Sequence, residues 1–367
     1  MDAFPENVAD PSAAGPVEVL LIIDDDTFLR LAATARQLCV GMIDEAVQMR
    51  VLSCGPAHLA GETLGPARVG RLRRRWLNWI RPPAEEVEEM LDGRRPKVVH
   101  CLSARLARLC WNWTARWNAA LLCLVTDTQD IQTLGAVTAA ARVEAVTPTR
   151  RLAAALAESY PAMTDRIRTI PLGTACAQEP ACLARPDAVP SAIVTAPLER
   201  HGGLDQLLKA LRMVAEAGHD LQTFFLGTGP AESSLRRLAD RLELRSRVTF
   251  AGPVIETSAV RAAMAAADFF ILPSTRGRFR LDSLTAMGAG LVVLAPQRTL
   301  EDYLEDGRTA CLFDEQKPSG LARRLCGLLE DRSAARRLAC AALDHVRACH
   351  KASDMVTACA ELYRRLA

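Results

Sequence analysis

Short apolar runs alternate with stretches of helical periodicity along almost the whole chain. Val17-Glu18-Val19-Leu20-Leu21-Ile22-Ile23 is rich in β-branched residues and is closed by Asp24-Asp25-Asp26-Thr27, which predicts a buried strand. Apolar positions at Leu29, Leu31, Ala35 and Leu38 then predict a helix. Residues 47–52 read as a second strand, 96–100 open a third, and 104–117 are helical. Segments 121–125, 143–146 and 167–173 continue the strand series. Uniformly apolar strands separated by helices predict a parallel sheet, because only a sheet covered on both faces buries both sides of each strand.

Between Thr174 and Pro190 the pattern lapses into Pro, Ala and Cys without a period, which predicts a linker at 175–190. It then restarts, with strands over 191–196, 221–226, 247–250, 269–272 and 291–294 and helices over 203–216 and 232–242. The expected organisation is a tail at 1–16, a Rossmann-like domain at 17–174 and a second one at 191–351. Ligands of open parallel sheets lie beyond the carboxyl ends of the strands, so the chemistry is expected in the cleft between the halves.

A chain of 367 residues with 50% hydrophobic content has enough apolar surface for two such cores. Its formal charge of +2 creates no global field, and no nucleic-acid-binding pattern stands out. The twelve cysteines contain no Cys-x-x-Cys pair and sit mostly in apolar runs, as expected of thiols packed in a reducing compartment. Neither they nor the six histidines have zinc-ligand spacing, so no metal and no cofactor is expected. Residues 1–17 lack a basic-then-apolar signal, and no apolar run reaches the roughly 20 residues of a membrane span. A cytoplasmic location is the expectation.

Ala267-Asp268-Phe269-Phe270-Ile271-Leu272-Pro273-Ser274, followed by Phe279, Leu281 and Ala286-Met287-Gly288-Ala289-Gly290, resembles the donor-site region of family 4 glycosyltransferases. That family's pattern runs Pro-Ser, two variable residues, Glu-Gly-Phe-Gly-Leu, three more, Glu-Ala-Met, two more and Gly. It lies over this chain without a gap. Ile170-Pro171-Leu172-Gly173-Thr174, Gly227-Thr228-Gly229-Pro230 and Glu305-Asp306-Gly307 are similar to further motifs of the family, in the same order. The resemblance implies a GT-B fold, two Rossmann-like domains with parallel sheets facing a central cleft, with the terminal helix at 352–367 crossing back onto the first domain. It also implies descent from retaining transfer from a nucleotide-sugar.

In that register the family's charged donor contacts are replaced. The two glutamates fall on Gly277 and Thr285, the arginine on Pro197 and the lysine on Gly202. Transfer from a nucleotide-sugar needs positive charge and donors aimed at the diphosphate leaving group. Arg200, His201, Arg276, Arg278 and Arg280 lie in the nearby loops, and a guanidinium can grip phosphate through two parallel bonds. They are candidate donor-binding residues together with Gly202, Gly227, Thr285 and Asp302, the last at the family's usual Glu position. The bland reading makes them solvated loop arginines and turn glycines. Asp127 is the candidate for orienting an acceptor hydroxyl, a helix cap being the competing role. His100 matches a strand-end His of the family and reads equally as a core residue.

Arg71, Arg73 and Arg74 beside Trp76 and Trp79 suit an anionic membrane surface, so peripheral contact with the inner face of a membrane is one expectation. An amphipathic segment packed on its own domain is the other. Trp111, Trp113 and Trp117 read as core. Two functions stay open: a divergent transferase using a nucleotide-sugar or another anionic small molecule, and a catalytically inactive GT-B subunit that binds an active transferase as partner. An epimerase or phosphorylase on the same architecture has no motif of its own here.

Overall fold

The computed structural model describes residues 16–54, 64–65, 67–71, 84–180, 182–183, 185, 187–200, 203–252, 257–275 and 277–367. The first half contains β1 (Val17–Ile23), α1 (Asp25–Gly41), β2 (Val47–Ser53), β3 (Arg68–Arg71), α2 (Ala84–Met90), β4 (Val98–Cys101), α3 (Ala107–Trp117), β5 (Ala120–Leu124), α4 (Thr128–Leu134), β6 (Val143–Thr147), α5 (Arg150–Ser159) and β7 (Ile167–Thr169). The second contains β8 (Ser191–Thr195), α6 (Leu204–Glu216), β9 (Gln222–Leu226), α7 (Glu232–Arg241), β10 (Val248–Gly252), α8 (Thr257–Ala265), β11 (Phe269–Ile271), α9 (Leu281–Gly288), β12 (Val292–Pro296), β13 (Cys311–Phe313), α10 (Pro318–Glu330), α11 (Arg332–Cys349) and α12 (Ala352–Leu366).

Both sheets are parallel, as the apolar strands predicted. Their orders are β3-β2-β1-β4-β5-β6-β7 and β10-β9-β8-β11-β12-β13. In each, the order reverses at the first strand, between β1 and β4 and between β8 and β11. Crevices open at such points because the flanking crossovers leave in opposite directions. The last strand of the first sheet is shorter than the 167–173 expected. Ile170 N–H still donates to Thr147 O at 3.0 Å, and the chain then leaves through Pro171, which has no N–H to offer. The first helix begins earlier than its apolar spacing indicated, because Asp24 caps it by accepting from Thr27 N–H at 2.7 Å. Asp25 and Asp26 in the first turn suit the positive end of the helix dipole.

Alternation along the strands of the second sheet divides the interior. Ile193, Phe270, Val293 and Ala295 join a core that is continuous with the first domain, whereas Ala192, Val194, Phe269, Ile271, Val292 and Leu294 join a core on the opposite face. Trp113 and Trp117 are buried and stacked, with ring centroids 6.2 Å apart, which fits the core reading.

Two crossings join the halves, and both are tied at one residue. His350, between α11 and α12, donates through Nδ1 to Leu172 O at 3.0 Å, and its own carbonyl accepts from Thr174 N–H at 3.0 Å. From there α12 returns along the first domain. Tyr363 is fully buried with its hydroxyl 2.6 Å from His100 Nδ1, Arg364 pairs with Glu45 at 2.7 Å, and Arg365 pairs with Glu144 at 2.6 Å. Asp268 fastens the linker, accepting from Leu183 N–H at 2.6 Å and Ser191 N–H at 2.8 Å.

Candidate functional site

The carboxyl ends of the two sheets face each other, and at both reversal points the chain's own side chains close the crevice. In the first domain Asp24 accepts from the Ser103 hydroxyl, joining the loop after β1 to the loop after β4. In the second, the Arg280 guanidinium donates to the Thr195 carbonyl at the end of β8 at 2.8 Å and pairs with Asp282 at 2.7 Å. Thr195 Oγ1 also donates to Asp282 at 2.9 Å. Arg280 is 17% exposed, so most of this cation is enclosed and neutralised by a neighbour.

Beneath Arg280 lies Glu301, a fully buried carboxylate that the sequence reading did not single out. It accepts from Arg280 N–H and from the Thr299 hydroxyl. Burial pushes its carboxyl above the usual range, against these two hydrogen bonds. A raised folded pKa means that its contribution to stability is present below the unfolded value and declines as pH rises through the folded one. Glu301→Gln is therefore expected to lose less stability than the native chain between pH 4 and 7. Denaturant unfolding at both pH values checks this, and a constant gap between the two proteins would refute it.

Asp127, after β5, is 3% exposed and forms a capping box with Asp130 at the start of α4. Its Oδ1 accepts from Asp130 N–H at 2.6 Å, while Asp130 Oδ2 accepts from Thr126 N–H at 2.8 Å. The same Asp127 carboxylate meets Arg278 Nε at 3.2 Å across the cleft. Burial, followed by the nearby Asp127 charge, raises the Asp130 carboxyl. Arg30, from α1, donates weakly to Thr126 Oγ1 at 3.5 Å, and burial, then the Arg278 charge, lowers its pKa. Asp130 was not singled out in the sequence; its signal is the third position after a capping Asp. Arg30 had no local signal.

The remaining candidates are dispersed. Asp302 accepts from Arg150 N–H at 2.8 Å at the start of α5. Thr285 Oγ1 donates back to Leu281 O at 3.1 Å within α9. Thr285 also lines an open groove of about 570 Å³ shared with Arg36 and Val40 of α1, Arg261 of α8, Ala175 of the linker and Val356 of α12. Gly227 has no room for a side chain, since a Cβ would sit 2.1 Å from Ala196 O. That close approach lets the loops after β8 and β9 run together, with Leu198 N–H donating to Thr228 O at 2.9 Å. Arg200 is exposed. His201, Gly202, Arg276, Arg73, Arg74, Trp76 and Trp79 lie outside the described residues, as does the Arg71 side chain. Among the described residues no group of His, Cys, Asp or Glu is placed to hold a metal ion, and no helix is long and apolar enough to cross a membrane.

Comparison with known proteins follows the same outline. Residues 190–331 match the family described as glycosyl transferases group 1. An uncharacterised glycosyltransferase of Bacillus subtilis, YqgM, is 28% identical over 165 residues, which span 45% of this chain and 46% of that protein. The chain thus spans about half the length of that curated relative. Among solved structures, sucrose-phosphate synthase from Thermosynechococcus elongatus superposes with a TM-score of 0.79 at 19% identity, covering 95% of this chain and 99% of that one. Anabaena HepE in complex with UDP and glucose superposes with a TM-score of 0.75 at 16% identity, covering 95% and 100%. With two parallel sheets facing one cleft and the group 1 match on its second domain, this chain has the GT-B fold and resembles the group 1 glycosyltransferases.

Proposed function

We propose that this chain is a group 1 glycosyltransferase relative that no longer transfers from a nucleotide-sugar in the retaining manner and serves as a catalytically inactive binding or partner subunit. The observation that carries this reading is the self-contained Arg280–Asp282–Thr195 cluster at the end of β8. A departing diphosphate needs uncompensated cations and N–H donors at that point. Here the enclosed cation is already neutralised by Asp282, so it offers no uncompensated charge to a diphosphate. Asp302 and Thr285 support the same reading, since their polar atoms are engaged in helix capping and helix back-bonding. Likeness to HepE with UDP and glucose supports a nucleotide-sugar as the ancestral ligand.

A second reading, a divergent active transferase, is favoured by one observation: Arg278 and Arg280 both come from the loop that borders the cleft. Calorimetric titration with a panel of UDP-, GDP- and ADP-sugars separates the two. The expected result is no affinity tighter than about 1 mM, that is, about 4 kcal/mol of binding or less. Copurification with an active transferase would add positive support for the partner role. Turnover of any donor by the isolated chain would overturn the proposal in favour of the second reading.

A further inference from the structure

The two walls of the cleft are joined backbone to backbone. Thr128 N–H, from the first domain, donates to Gly277 O at 3.1 Å, and Phe279 N–H, from the second, donates to Thr126 O at 2.7 Å. Together they make an antiparallel bridge of Asp127 with Arg278, reinforced by the ion pair between the same residues. Gly277 has φ +67°, and a Cβ on it would lie 3.1 Å from Thr128 Oγ1. A left-handed backbone and a narrow gap both select glycine there. A glutamate at this position would strain the left-handed backbone and press on Thr128. Further along the cleft, Arg150 N–H donates to Asp302 and Arg151 donates to Thr299 O at 2.7 Å, tying α5 to the loop before β13.

We propose that the loop carrying Gly277 and Arg278 is an interdomain latch that holds the cleft shut. The inference deepens the proposed function, because the latch regulates access to the same site and its glycine stands where the family keeps a donor-sugar contact. Domains joined by two chain crossings ordinarily hinge. Here backbone hydrogen bonds and an ion pair with a carboxylate that is 5% exposed oppose that opening. The cleft becomes accessible when Asp127 and Arg278 separate.

Hydrogen exchange of the full chain without nucleotide tests this directly. Amides engaged only when the cleft is shut are protected only as long as it stays shut. Thr128 and Phe279 are expected to be protected in the native chain. Arg278→Ala is expected to lower that protection about tenfold, corresponding to about 1.4 kcal/mol, with a larger radius of gyration in solution scattering. Gly277→Glu should do the same or more. Should Gly277→Glu fail to fold, Arg278→Ala and the native measurement still decide. Native Thr128 and Phe279 amides exchanging as fast as free loops while β5 and β11 stay protected would overturn the latch, and so would unchanged protection in both variants. Neither result depends on nucleotide binding, so calorimetry on the same samples reports separately on the proposed function.

Discussion

Between pH 6.5 and about 3 the folded state is expected to lose about 4–5 kcal/mol through His100 alone. Complete burial pushes this imidazole down to about 3 from 6.5. The folded protein holds it neutral while the unfolded chain takes up a proton below 6.5. Its contribution to stability is therefore complete above 6.5 and falls by about 1.4 kcal/mol for each pH unit until the folded value is reached. The position leaves no escape, because His100 lies in β4 with Nδ1 against the buried Tyr363 hydroxyl and with Nε2 lacking a partner among the described residues. Urea unfolding at pH 6.5 and 5, before most carboxylates titrate, should show a loss of about 2 kcal/mol that His100→Gln removes. His345 and His350 are also lowered by burial and contribute in the same direction, so the comparison with the variant isolates His100. Parallel losses in the two proteins would refute the assignment. Because Tyr363 belongs to α12, acid should release that helix from the first domain as the fold fails.

Rebuilding the donor site is expected to require more than the four missing charges, above all a change at Arg280, where the family pattern has glycine. Pro197→Arg, Gly202→Lys, Gly277→Glu and Thr285→Glu together restore the missing charges, yet the Arg280 side chain still fills the end of β8. The fourfold variant should gain little affinity for the UDP-, GDP- and ADP-sugars. Adding Arg280→Gly together with Asp282→Asn clears the crevice at the β8–β11 reversal without leaving an unpaired carboxylate to repel the diphosphate. Two recovered charge-assisted hydrogen bonds, each worth about 1.5–3 kcal/mol, correspond to roughly a hundred- to ten-thousand-fold tighter binding. Calorimetry on the fourfold and sixfold variants distinguishes the cases, and equal affinities would show that the Arg280–Asp282 pair does not obstruct the site. The Gly277→Glu change would also break the latch, so the gain should come with a more open cleft in solution.

The fold was legible because its determinants are local and repeated. Apolar runs such as Leu20 to Ile23 and Phe269 to Leu272 can be buried on both faces only in a parallel sheet, and that constraint acts on each strand independently. The absence of charge at Pro197, Gly277 and Thr285 was equally a property of the sequence, since no folding can ionise those side chains. Asp127 as a helix cap was legible too, because Asp130 follows at the reciprocal spacing.

What the sequence by itself determined, then, was two parallel-sheet domains and uncharged side chains at the positions where the resembled donor-site pattern carries charge. Tertiary structure alone decided how the charged side chains around the cleft are paired. The meeting of Asp127 with Arg278 joins residues 151 positions apart, and that of Asp302 with Arg150 joins residues 152 apart. Arg280 could have pointed to solvent or to the cleft with the same local spacing. Its burial over Thr195 follows from packing of the loop after β11 against the end of β8. Glu301 and Asp302 are adjacent, yet one is sealed beneath Arg280 and the other caps a helix of the opposite domain. Strand and helix formation answer to neighbours along the chain, whereas the partner of a charged side chain depends on which distant loops the closed domains bring within about 3 Å.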